Sequence, residues 1–97
     1  MKRVVLKKPV IAVAGSSGKT TTKEMIASII ETRWKVYKSK YNRNNRKAMR
    51  KHVKLIRSYH QAAVLEFGMS RSGHLRRQCR IIQPNLAVIT MVGSAHI

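Results

Sequence analysis

Apolar positions along this chain fall into short, separated groups whose period alternates between that of a strand and that of a helix. Residues 9–14 (PVIAVA) open with Pro9 and run on as β-branched and small apolar side chains, the signature of a strand buried on both faces. Residues 19–33 place Met25, Ile26, Ile29 and Ile30 on one side at helical spacing. Residues 34–38 (WKVYK) alternate Trp34, Val36 and Lys38 against Lys35 and Tyr37, which predicts a second strand. The asparagine-rich 39–46 (SKYNRNNR) reads as a loop. A basic helix is predicted over 46–58, with Met49, Val53 and Ile56 as its apolar line. Residues 61–67 (QAAVLEF) read as a third buried strand, and 72–82 as a short helix with Leu75, Cys79 and Ile82 on one line. Pro84 and Asn85 stop that helix, and 86–92 (LAVITMV) form a fourth apolar strand.

The order β-α-β-α-β-α-β predicts an α/β fold, a mostly parallel sheet with crossover helices on its faces. Ninety-seven residues suit one small domain, and 43% hydrophobic content suffices for a modest core. Ile97 follows closely on the fourth strand, where such a chain would enter another helix, so the sequence reads as an incomplete domain.

Charge narrows the partners. Lys and Arg number 21 against three acids, Glu24, Glu31 and Glu66, giving a formal charge of +18. Such a chain attracts polyanions, among them nucleotides, nucleic acid and acidic metabolites. Ten of the basic residues lie within 35–57, beside Trp34, Tyr37, Tyr41 and Tyr59. Interleaved bases and aromatics can bind nucleic acid, can funnel an anionic substrate, or can simply form a solvated face; the last two rank first, since the pattern of no nucleic-acid-binding module is present. The single cysteine, Cys79, cannot form an internal disulfide, and no run approaches the ~20 apolar residues of a membrane span, so a cytoplasmic, membrane-free chain is expected.

The segment between the first strand and first helix carries the chemistry. In GSSGKT, Gly15 and Gly18 permit backbone angles closed to other residues. Successive N–H groups of Gly15, Ser16, Ser17 and Gly18 can then line one concavity for anionic oxygens, with the helix N-terminus behind it. Lys19 would supply a full charge to the outer phosphates, and Thr20 or Thr21 a hydroxyl to Mg²⁺. The pattern is a shortened P-loop, since Val13 stands where G-x-x-x-x-G-K-[ST] begins. The competing reading is a Gly-Ser turn before a threonine-capped helix; the apolar strand before the loop and the amphipathic helix after it favour the phosphate reading. Glu66 ends a buried strand at the edge where open α/β sheets bind ligands; it can hold Mg²⁺ or pair with one of the many bases. His96, past the fourth strand, is either a metal or phosphate contact or a solvated turn residue. His52, His60 and His74 have no ligand spacing.

Three ordered pieces, VIAVAGSSGKTTTKEMI, LEFGMSRSGHL and IIQPNLAVITMVGSAHI, together resemble the ATP-binding central domain of the Mur ligase family. LEFGM followed by a glycine looks most like the branch that adds D-alanyl-D-alanine to the muramoyl tripeptide. The resemblance implies an ATP- and Mg²⁺-dependent ligase. Such an enzyme activates a carboxylate as an acyl phosphate and joins it to an amino acid or peptide amine, in cell-wall precursor synthesis. It implies that Lys19 binds the β- and γ-phosphates, that Thr20 and Thr21 lie near Mg²⁺ with Glu66 as its ligand, that His96 contacts a second metal site, and that Asn42 matches the family's asparagine after the second strand. It also implies that the base contacts, a carbamylated lysine and the C-terminal ligase domain lie beyond Ile97, so that these residues alone would not complete the ligation. The chain departs from the family pattern at RNNRKAMRKH, at His74 in place of a common acid, and at Met91 in place of a common asparagine.

Overall fold

The computed structural model describes residues 6–15, 18–39, 46–68 and 74–90, with the side chains of 46–49, 74 and 75 left aside. In chain order the elements are β1 (Val10–Ala14), α1 (Lys19–Ile30), β2 (Val36–Lys38), α2 (Arg46–Leu55), β3 (Ala62–Glu66), α3 (His74–Ile81) and β4 (Leu86–Ile89). The strands form one sheet in the order β2-β3-β1-β4, and every pairing is parallel. Val10 to Val13 of β1 pair with Ala63 to Glu66 of β3, and Ile11 to Ala14 pair with Leu86 to Ile89 of β4.

Alternation along the strands divides the core. Val10, Ala12 and Ala14 of β1 and Ala63 and Leu65 of β3 face one side, with Phe67, Ile81 and Ile82; Tyr37, Val53, Ile56 and Cys79 pack against them, so α2 and α3 cover this face. Val13 and Val64 face the other way onto Ala27, with Ile26 and Ile30 of α1. This split follows from the connections. β1 to β2 runs across the sheet in one direction, β2 to β3 and β3 to β4 in the other. Right-handed crossovers put helices on opposite faces when the direction reverses. Neighbouring strands β1 and β3 therefore send their following segments to opposite faces, which opens a crevice at their C-terminal ends.

The helix and strand assignments hold, with three corrections of detail. Met25 and Ile29 are 61% and 69% exposed, whereas Lys23 and Ala27 are the buried residues of α1. The face that meets the sheet is centred on 23, 26, 27 and 30, a rotation away from the apolar stripe, because a buried polar contact of Lys23 fixes it. Trp34 lies before β2 in a turn that ends α1, where its N–H donates to the Ile30 carbonyl at 2.9 Å, and its ring is exposed. The extension of the fourth strand to residues 90–92 is not realised at Thr90, and 91–97 lie outside the described residues.

Short polar links fasten the strand starts. Asn85 exchanges two 2.8 Å bonds with the Val10 backbone, its side-chain oxygen taking the Val10 N–H and its own N–H reaching the Val10 carbonyl. Lys8 Nζ donates to the carbonyls of Arg57 and His60, at 2.9 and 2.6 Å, closing the turn after α2. Within that turn His60 Nδ1 accepts the Arg57 N–H at 2.9 Å.

Only a neutral imidazole has that acceptor. Burial, with Lys8, Lys35 and Arg57 close by, holds His60 below its ordinary value of 6.5. The unfolded chain therefore takes up this proton first as pH falls. The stability it contributes is complete above about pH 6.5 and is lost as pH drops through the lower folded-state value. Thermal midpoints measured from about pH 7 down to about pH 5 are expected to fall, and to fall less steeply in His60→Asn, whose side-chain oxygen can take the same N–H.

Candidate phosphate-binding site

The joint between β1 and α1 is shaped by two glycines. Gly15 has φ 140° and Gly18 has φ 78°, both in the region that favours glycine. A Cβ on Gly15 would lie 1.9 Å from Thr90 Oγ1, so the chain passes against the end of β4 with no room for a side chain. Thr90 is itself tied to β1, its N–H and hydroxyl reaching the Ala14 carbonyl at 2.8 and 3.1 Å. A Cβ on Gly18 would meet nothing within 4 Å among the described residues, so there that glycine answers to its backbone angle.

Gly18 is the N-cap of α1, and it brings no capping side-chain bond; the first turn carries no acid. The first N–H groups of the helix and its positive dipole end thus remain available to an anion. Lys19 Nζ folds back over the loop and donates to the Gly15 carbonyl at 3.1 Å. This bond holds its ammonium at the Gly15 end of the joint.

Glu66 closes the crevice from β3. It is the register partner of Val13, and its side chain is fully buried. Thr20 donates its hydroxyl to Glu66 Oε2 at 2.9 Å. Lys23 Nζ stands 3.2 Å from the same oxygen, with neither side chain exposed. Ser39, just after β2, clasps both members of this pair: its carbonyl accepts from Lys23 Nζ at 2.5 Å, and its hydroxyl accepts the Glu66 N–H at 3.1 Å. Glu66 Oε1 is buried and has no hydrogen-bond partner among the described residues. The next turn of chain is held equally firmly, since buried Gln78 of α3 accepts the Gly68 N–H at 2.6 Å.

An orphaned carboxylate oxygen beside a threonine hydroxyl fits a hard cation that takes one or two protein oxygens and fills its remaining positions with phosphate and water. Among the described residues no group of three His, Cys, Asp or Glu could hold a metal ion. Of the two threonines, Thr20 makes the contact with Glu66; Thr21 is exposed on the next position around the helix. Gly15, Gly18, Lys19, Thr20 and Glu66 are thus brought together. Ser16, Ser17, Asn42 and His96 lie outside the described residues.

Lys23 and Ser39 were not singled out from sequence. The available signal was a lysine on the helix face defined by Ala27 and Ile30, three residues after Thr20, where a cation must find a buried partner. Of the two readings offered for Glu66, the ion pair is the one the structure shows, with Lys23; its carboxylate also stands within hydrogen-bond reach of Thr20 at the start of α1.

A parallel sheet, a glycine-bent turn leading into a helix with no side-chain cap, and an acid on the adjacent strand define an α/β domain with a shortened P-loop-like joint. Residues 13–97 match the family model described as the Mur ligase middle domain, and the chain belongs to that family. It is 37% identical over 87 residues to the UDP-N-acetylmuramoyl-tripeptide--D-alanyl-D-alanine ligase of Treponema pallidum, covering 90% of this chain and 19% of that protein. Against the Bacillus subtilis enzyme of the same name it is 41% identical over 87 residues, with the same coverage. A crystal structure of MurF from Acinetobacter baumannii superposes with TM-score 0.86 at 39% identity, covering 93% of this chain and 20% of that one. The MurF ligase of Thermotoga maritima, solved in complex with ADP, superposes with TM-score 0.81 at 36% identity, covering 92% and 21%. The chain thus spans about a fifth of the length of these relatives.

The closeness of Gly15 to Thr90 is directly testable. Gly15→Ala should lower the free energy of unfolding by about 1–3 kcal/mol in a urea titration, as overpacking does. Thr90→Ala in the same background removes the nearest atom and should restore part of that loss, giving a non-additive pair.

Proposed function

We propose that this chain is the phosphate-binding part of an ATP-dependent ligase that joins a carboxylate to an amine in peptidoglycan precursor synthesis. The observation that carries this reading is the 2.9 Å bond from Thr20, in the first turn after the glycine loop, to the buried Glu66 on the neighbouring strand, whose second carboxylate oxygen is buried and has no hydrogen-bond partner among the described residues. Acceptor and donor follow the chemistry in the relatives' names, a UDP-N-acetylmuramoyl tripeptide and D-alanyl-D-alanine. ATP as the nucleotide is supported by the ADP-bound Thermotoga neighbour. A cytoplasmic location accords with this nucleotide, and no helix among the described residues is long and apolar enough to cross a membrane.

Phosphoryl transfer needs positioning and charge neutralisation more than it needs covalent chemistry from the protein. The backbone around Gly15 and Gly18 and the start of α1 would receive the phosphates. The Lys19 ammonium would leave the Gly15 carbonyl to pair with outer phosphate oxygens. Thr20 Oγ1 and Glu66 Oε1 would hold Mg²⁺, which when bound neutralises phosphate charge and orients the terminal group. The substrate carboxylate then attacks the γ-phosphorus and ADP departs. The amine next displaces phosphate from the resulting acyl phosphate, forming the amide and releasing a proton.

Lys19→Ala is expected to weaken Mg²⁺-dependent ATP binding by about 100-fold or more in calorimetry, since it removes a charge-assisted contact to the outer phosphates. Unchanged affinity would exclude the phosphate role of the loop. Neutralising Arg50, Lys51 and Lys54 on α2 should leave that affinity within about twofold, because exposed charges remote from a site are screened. The reverse pattern, with salt-sensitive nucleic-acid binding lost in the α2 variant and unaffected by Lys19→Ala, would favour a basic polyanion-binding module instead.

A further inference from the structure

We propose that Lys23 is a positioning residue that makes the Glu66 site receptive to a divalent cation only when the cation arrives with phosphate. This rests on the phosphate-binding role proposed for the loop, and it concerns the order and selectivity of loading. Lys23 and Glu66 are both fully buried, and they meet at 3.2 Å. Lys23 Nζ is also held by the Ser39 carbonyl, and it stands 3.4 Å from Glu24 Oε2.

Two consequences follow from this arrangement. The first is geometric. Oε2 is occupied by the Thr20 hydroxyl and the Lys23 ammonium, so the carboxylate cannot turn to offer two oxygens to a metal. Oε1 alone remains, fixed in direction by a clasp that joins α1, the end of β2 and the end of β3. The second is electrostatic. An uncompensated buried carboxylate attracts any cation strongly, whereas a buried carboxylate–ammonium pair carries no net charge. A bare divalent ion at Oε1 would share the carboxylate with the Lys23 ammonium, 3.2 Å from Oε2, and its own desolvation would not be offset. The same ion bound to polyphosphate arrives with its charge already balanced, and the loop N–H groups and Lys19 receive the phosphate. Lys23 thus suppresses binding of the free metal while leaving the metal–nucleotide complex its full set of contacts.

The test uses Mn²⁺ without nucleotide as the probe, with free Mn²⁺ followed by electron paramagnetic resonance. The unmodified chain should bind Mn²⁺ no more tightly than the millimolar range. Lys23→Met should tighten Mn²⁺ binding at least about tenfold, since the compensating charge is gone. Adding Glu66→Gln to that variant should abolish the gain, which locates it at this carboxylate. Lys23→Arg, which keeps the charge, should behave as the unmodified chain. A purely structural lysine would alter stability without creating a metal site.

Tight Mn²⁺ binding by the unmodified chain overturns the proposal, and that measurement stands even if Lys23→Met does not fold. Unchanged Mn²⁺ affinity in a folded Lys23→Met also overturns it. A fluorescent ADP analogue, titrated with and without Mg²⁺, separates the two levels of inference. Failure to bind the analogue under either condition removes the loop's phosphate role, while the Mn²⁺ series alone decides the role of Lys23.

Discussion

The ion pair between Lys23 and Glu66 is the contact on which the rest of the site depends. Either partner without the other would be a buried charge, a situation that costs several kcal/mol. The pair therefore fixes how α1 sits on the sheet. It turns the helix so that a lysine faces inward and two large apolar side chains, Met25 and Ile29, face out. Hydrophobic burial alone would favour the opposite rotation. Ser39 then satisfies the remaining polar demands of the pair from a third element, so two strand ends and a helix start are joined by one small polar network.

Acids are scarce in this chain, and their placement is correspondingly informative. Glu24 and Glu31 both lie beside Lys38, at 2.7 and 3.9 Å, linking α1 to β2, and Glu66 is taken by Lys23. The hydrogen bond from Lys38 holds the Glu24 carboxyl below its ordinary range, and the same bond raises Lys38. All three carboxylates thus serve the α1 face. The described surface of α2 and α3, with Arg50, Lys51, Lys54, Arg76, Arg77 and Arg80, carries no acid.

Much of this was legible beforehand, for identifiable reasons. The strand–helix alternation, the parallel sheet and the glycine-bent loop rest on local patterns, and local patterns are what a sequence displays. Glu66 could be placed at the loop because a buried parallel strand delivers its last residue to the ligand-binding edge. Lys23 and Ser39 escaped notice because their roles exist only after β2 and β3 are laid side by side, 16 residues apart in sequence yet in direct contact. The outward turn of Met25 and Ile29 escaped for the same reason, as a long-range polar contact overruled the apolar period. Thr90 gave no sign either; its importance is the absence of space above Gly15.

That tight meeting of Gly15 and Thr90 has a bearing on how the molecule comes into being. The first bend of the loop is moulded against a residue whose hydroxyl reaches a partner 76 positions earlier in the chain. A growing polypeptide can pair β1 with β3 and bring Thr20 to Glu66 well before β4 exists. The floor of the cradle must wait until the fourth strand is added on the far side of β1. Contacts so distant along the chain are late and slow to form. The bend at Gly15 is therefore among the last features to take its final shape, and a partly folded chain would join Thr20 to Glu66 before that bend is closed.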